Sequence, residues 1–213
     1  LSMGAVLKGS DNLSDYLLFG GESAPKKRDV PSYVNSEYTG APTHYFLYAK
    51  DCENLAITGL GRIHGNEEIF YGEENPWHIE GLFYPRSPML FLENVDHLTI
   101  RDVTLEKSAF WTVHMVGCRD VLIENVVTYG PNQFGLRFYA NFECENMTIR
   151  NVTLRSQKGQ LDTAFWMNPN PERQLKNFRV ENVVVASAPK YMFRGTQFPV
   201  EGLISDEAPT EGW

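Results

Sequence analysis

Apolar and polar residues alternate in four closely similar stretches of the chain. The apolar positions are Leu98, Ile100 and Val103, then Val121, Ile123 and Val126, then Met147, Ile149 and Val152, then Phe178, Val180 and Val183. Alternation of this kind predicts β-strands with one face buried. In each stretch the phase slips by one residue, at Arg101-Asp102, Glu124-Asn125, Arg150-Asn151 and Glu181-Asn182. Asp and Asn tolerate left-handed backbone, so each slip predicts a bend. Every unit therefore reads as strand, bend, strand, loop. Weaker copies run from Leu55 to Leu60 and from Phe198 to Ile204.

Asn54, His97, Asp120, Asn146 and Asn177 hold equivalent places in these units, at spacings of 43, 23, 26 and 31 residues. A base unit of about 23 residues with occasional insertions implies stacked repeats. A leucine-rich repeat would need its Leu consensus and a helical segment, and a propeller blade would need about 40–45 residues. The expected fold is all-β: a single-stranded parallel β-helix of about seven to eight partial or complete turns. It would form one domain over residues 1–213, with surface insertions near 19–43 and 62–85. The second insertion carries Glu67, Glu68, Glu73 and Glu74, which read as surface charge. No capping helix is evident, so the open ends predict either further sequence or a homo-oligomer. The start at Leu1, already inside strand-like sequence, points to a processed or truncated N-terminus.

Composition narrows the partners. Apolar residues make up 42% and charged residues 22%, which suits a folded chain, and the net charge of −8 argues against nucleic acid or an anionic membrane. No apolar run approaches the ~18–20 residues of a membrane span, and no signal peptide is visible. Cys52, Cys118 and Cys144 each precede a landmark residue by two, so they share one column of the repeat. Stacked equivalents lie about 4.8 Å apart, too far for the ~3.8 Å that a disulfide sets between Cβ atoms. They are expected to be buried free thiols. No CxxC pair or His cluster suggests a metal, and no cofactor is expected.

The same register predicts a candidate site. A spacing of 23 sets Arg137 against His114, and Asp162 follows 25 residues on. Each stands between residues expected to face inward, so the three should form an outward column. Tyr139 and Trp166 would lie nearby, and Arg194 would extend it. Aromatic faces suit a sugar ring, and arginine suits a carboxylate or sulfate. Asp162 could act as a general acid or base, and His114 could titrate near neutrality. Outward rows of a β-helix are also polar simply because they meet water.

Several segments resemble glycoside hydrolase family 28, the polygalacturonase-like right-handed β-helices. They are Gly4-Ala5-Val6-Leu7-Lys8-Gly9-Ser10 with Asp15-Tyr16, Asn54 to Asn66, Ser108 to Cys118, and Pro131-Asn132. The resemblance implies a right-handed helix, a polysaccharide or oligosaccharide as partner, glycoside hydrolysis of pectic or other acidic glycans, and a secreted or periplasmic location. Where the family reads Asn-Thr-Asp-Gly-Ile-Asp, this chain has Asn132-Gln133-Phe134-Gly135-Leu136-Arg137. Asn132 and Gly135 match, and both aspartates are replaced. The family's later Gly-His-Gly and Arg-Ile-Lys motifs are absent, and only Asp162 falls near its Gly-Asp-Asp. The expectation is a glycosidase with a divergent site: Asp162 and His114 catalytic, with Arg137, Tyr139, Trp166, Asn132 and Arg194 binding substrate. The alternatives are a carbohydrate-binding module without catalysis, a structural β-helix, and a lyase or epimerase on the same scaffold.

Overall fold

A computed structural model describes residues 1–16, 46–70, 87–109, 111–130, 134–139, 145–156, 163–168, 176–185, 191–194 and 204–205. They form an all-β structure in which every pairing between strands is parallel. In chain order the strands are β1 (Val6–Lys8), β2 (Leu47–Glu53), β3 (Ala56–Thr58), β4 (Arg62–His64) and β5 (Leu90–Arg101). Next come β6 (Thr104–Glu106), β7 (Val113–Val116), β8 (Arg119–Glu124), β9 (Val127–Gly130) and β10 (Phe134–Tyr139). The last five are β11 (Glu145–Ser156), β12 (Thr163–Asn168), β13 (Lys176–Val185), β14 (Tyr191–Arg194) and β15 (Ile204–Ser205).

Three ladders organise them. The first runs β2, β5, β7, β10, β12, β14, using the opening residues of β5. The second runs β3, β5, β8, β11, β13, β15, using the later residues of β5. The third runs β1, β4, β6, β9 and the end of β11. From β7 onward the chain visits the ladders in a fixed order: β7, β8, β9, then β10, then the two halves of β11. Equivalent residues therefore pair with the copies before and after them. Leu98 meets Val121, and Val121 meets Met147, which meets Phe178.

The bends follow from backbone chemistry. Asn54, His97, Asp120, Asn146 and Asn177 all have positive φ, between 50° and 59°. So do Asp102, Asn125, Asn151 and Asn182, between 48° and 64°. Left-handed backbone costs most residues about 1–2 kcal/mol, and Asn and Asp offset part of this by bonding locally. Here the bonds run between copies. The Asn125 amide donates to Asp102 at 2.9 Å, Asn151 to Asn125 at 3.3 Å, and Asn182 to Asn151 at 2.8 Å. Asn146 donates to Asp120 and Asn177 to Asn146, both at 2.9 Å.

The core is the inward side of these strands. Leu98, Ile100, Val103, Leu105, Ile123, Val126, Ile149, Val152, Leu154, Phe178 and Val180 are all buried. Each such side chain contributes about 1.5–3 kcal/mol relative to exposure. Packing of repeats against their neighbours thus supplies the driving force that no single repeat could supply alone.

Three expectations change. Arg62–His64, assigned from sequence to an insertion, is strand β4 within the third ladder. Glu67, read as surface charge, is completely buried and faces Lys107 at 3.1 Å. The cysteine column is interrupted as well. Cys52 pairs with Val95, whereas Cys118 precedes Arg119, the partner of Asp96, and so stands beyond Val95. Cys52 and Cys118 are free thiols, half-buried and buried respectively, and Cys144 lies outside the described residues.

Candidate functional site

The outer side of the first ladder gathers most of the chemistry. On β5, Leu90 and Leu92 enter the core, which turns Phe91 and Glu93 to the opposite side. On β7, Val113 and Met115 enter the core, which turns His114 and Val116 outward. Pairing then defines a first row, Tyr48, Phe91, His114, Arg137, Trp166 and Arg194. Beside it runs a second row, Lys50, Glu93, Val116, Tyr139 and Asn168.

Register places Arg137 beside His114, at the spacing read from the sequence. It places Trp166, not Asp162, on the other side of Arg137. The expected column of His114, Arg137 and Asp162 is corrected on this point. The step from Arg137 to the next copy is 29 residues rather than 25. Arg194 follows Trp166 in the first row, and Tyr139 stands in the second. Asp162 and Asn132 lie outside the described residues.

His114 is on the expected side of its strand, but it does not meet water. It is 1% exposed and stands edge-on to Phe91, with ring centroids 4.6 Å apart. Phe91 is fully buried and stacks on Tyr48 at 5.6 Å, with the rings 10° from parallel. This end of the row is a packed aromatic stack. It offers no free ring face to a ligand at Phe91, and it holds the imidazole of His114 in one orientation.

Glu93 is a residue that sequence reasoning missed. It is 4% exposed, and the Tyr48 hydroxyl donates to its Oε2 across the two rows. A buried carboxylate on an outer face is costly unless hydrogen-bonded, and Tyr48 supplies such a bond. The signal was present in the sequence: Glu93, Val116 and Tyr139 recur at spacings of 23 residues. Glu93 and His114 are diagonal neighbours, about 7–8 Å apart along the backbone.

A second polar cluster joins the first strand to the stack. The Asn66 amide donates to the Ser10 carbonyl at 2.9 Å and to Asp11 at 2.7 Å, and the Asn66 backbone N–H donates to His64 Nδ1 at 3.1 Å. Lys107 faces Glu67 at 3.1 Å and Glu68 at 3.4 Å. Burial alone would pull the Lys107 pKa down, but hydrogen bonding and attraction from Glu67, with help from Glu68, hold it above the ordinary lysine value. Every charge in this cluster is directed at another part of the chain, which suits a clasp. Among the described residues, no group of three His, Cys, Asp or Glu side chains could hold a metal ion.

No family model matches the chain. No curated protein matches it either. Among solved structures, it is similar to a protein from Parabacteroides merdae described as a "putative glycosyl hydrolase". That likeness has a TM-score of 0.45 and 14% identity, and it covers 88% of this chain and 73% of the other.

Proposed function

We propose that this chain is a right-handed parallel β-helix whose first-ladder outer face binds a polysaccharide, a pectic or other acidic glycan. The observation that carries the reading is the unbroken register from His114 through Arg137 and Trp166 to Arg194. Steps of about 4.8 Å set basic and aromatic residues in line over four strands, and this combination suits an acidic sugar chain. The fixed order in which the chain visits its three ladders supports the helical winding. In this reading Arg137 and Arg194 bind acidic groups, while Trp166, Tyr139 and Asn132 bind the sugar. His114 stands at the packed end of the row.

The enzymatic form of the proposal is a glycosidase with Asp162 as acid or base. Inverting hydrolysis needs two carboxyl groups about 6.5–9.5 Å apart, and retaining hydrolysis needs them about 5–5.5 Å apart. Glu93 is the carboxylate that the described face supplies, but it is buried against Tyr48. That burial favours the second reading, a carbohydrate-binding β-helix without catalysis.

One experiment separates the two. Acidic and neutral polysaccharides are tested in parallel for binding and for release of reducing ends, using wild type, Arg137→Ala, Asp162→Asn and Glu93→Gln. Reducing-end release that Asp162→Asn abolishes supports the glycosidase. Binding without release, weakened about tenfold or more by Arg137→Ala and untouched by Asp162→Asn, supports the binding module. A chain that neither binds nor cleaves any of them rules out both.

A further inference from the structure

The second ladder carries charge in a pattern that its core does not require. In one column of paired positions stand Asp96, Arg119, Glu145 and Lys176. In another, five residues further along each strand, stand Arg101, Glu124, Arg150 and Glu181. From β5 to β13 the sign alternates at every step of both columns, whereas one step earlier Glu53 of β2 stands opposite Asp96, acid against acid. Each of β5, β8, β11 and β13 thus carries one charge and, five residues on, the opposite charge, and the order reverses from each strand to the next. Two contacts within the columns are direct: Arg150 to Glu124 at 2.7 Å, and Arg119 to Glu145 at 3.8 Å.

The consequence concerns which strand stacks on which. The four strands present nearly interchangeable apolar faces to the core: Leu98-Ile100, Val121-Ile123, Met147-Ile149 and Phe178-Val180. Burial alone therefore distinguishes poorly between β8 meeting β11 and β8 meeting β13. Charge distinguishes the alternatives one strand apart. If β11 were skipped and β8 met β13, Arg119 would face Lys176 and Glu124 would face Glu181. Meeting of β5 and β11 would likewise set Asp96 against Glu145 and Arg101 against Arg150. Like charges directly opposite each other in a sheet are destabilising.

We propose that, from β5 to β13, the two columns form a neighbour-selection device: alternating charge admits the next strand in sequence and rejects the one after it. Such a device differs from ordinary surface ion pairing, which contributes little by itself. It requires that the pattern of signs matter more than the identity of any residue.

The test is a graded series in the second column, read as Tm and as refolding yield at low salt. Glu124→Gln removes one charge. Glu124→Arg creates two like-charge steps. Arg101→Glu with Glu124→Arg leaves one like-charge step, and inversion of all four residues leaves none. A shift of about 2–4 °C corresponds to each kcal/mol for a chain of this size. The expected order of Tm is wild type, then full inversion close behind, then the double variant, with Glu124→Arg lowest and below Glu124→Gln. The gaps should shrink in 1 M salt, where the screening length is about 3 Å. Should the inverted variant misfold for unrelated reasons, the double variant still decides, because it carries more replacements than Glu124→Arg and must nevertheless be more stable. Tm that falls with the number of replacements, or Glu124→Arg no worse than Glu124→Gln, overturns the proposal.

Discussion

Burial pushes the Tyr16 phenol up to about 12, and the nearby charges of Asp11 and Asp15 add to the effect. Its hydroxyl donates to the Ser10 carbonyl at 2.8 Å, and its ring packs edge-on to Phe70. An unfolded tyrosine titrates near 10. Between these values the unfolded chain releases the proton while the folded chain keeps it, so stability falls as pH rises. The contribution is intact below about pH 10 and is lost as pH passes about 12. Denaturation midpoints taken across this window should therefore decline more steeply for wild type than for Tyr16→Phe. Equal slopes would show that the phenol ionises freely in the folded chain. At this scale the sequence was legible in part. Asp and Asn at the phase slips announced the left-handed bends, because few other residues adopt that backbone. Burial of Glu67 was not legible, since two adjacent glutamates look alike until Lys107 arrives from a distant strand end.

Between neighbouring elements, the amide ladders are as regular as the core. Asn125 donates to Asp102, accepts from Asn151, and holds φ at 53°. Substitution by Gly removes the side-chain bonds but keeps left-handed backbone accessible, whereas Ala removes the bonds and adds strain. Asn125→Gly should cost about 1–2 kcal/mol in urea denaturation, and Asn125→Ala about 1 kcal/mol more. If the two variants matched, backbone strain at this bend would be negligible. Strand positions and inward residues were legible here because alternation follows directly from strand geometry. Register between distant copies was legible only where the spacing stayed constant. It held from His114 to Arg137 and failed at Asp162, because the extra residues between β11 and β12 left no mark in the apolar pattern.

Across the whole molecule, the clasp around Glu67 ties the segment after β4 to the end of β6. Glu67 has no solvent exposure, while Lys107 retains 21% of its side-chain exposure. Removing the lysine deprives a buried carboxylate of its facing cation, whereas neutralising the glutamate leaves a cation that can still reach water and Glu68. Breaking a buried pair from the costly side typically destabilises by about 3–5 kcal/mol. Lys107→Met is expected to approach that range, with Glu67→Gln clearly milder, in paired thermal and urea melts. The reverse order would mean that the carboxylate is not held by Lys107. The parallel all-β architecture was legible from the repeat. The packed stack at Phe91 and His114 was not, because alternation gives the side of a strand and says nothing about what covers it.

The interruption of the thiol column by Val95 also makes the chain its own clock. Cys118 is fully buried, with its sulfur 3.5 Å from the Leu92 carbonyl, and cannot meet a reagent until the strands around it open. Cys52, on the other side of Val95, is half-buried and needs a smaller excursion. In a Cys144→Ser background, a thiol-specific dye should therefore modify Cys52 first. Cys118 should follow at a rate that tracks local opening of the stack and is accelerated by sub-denaturing urea. Two thiols that oxidation cannot join then report separately on how each strand comes loose from its neighbours.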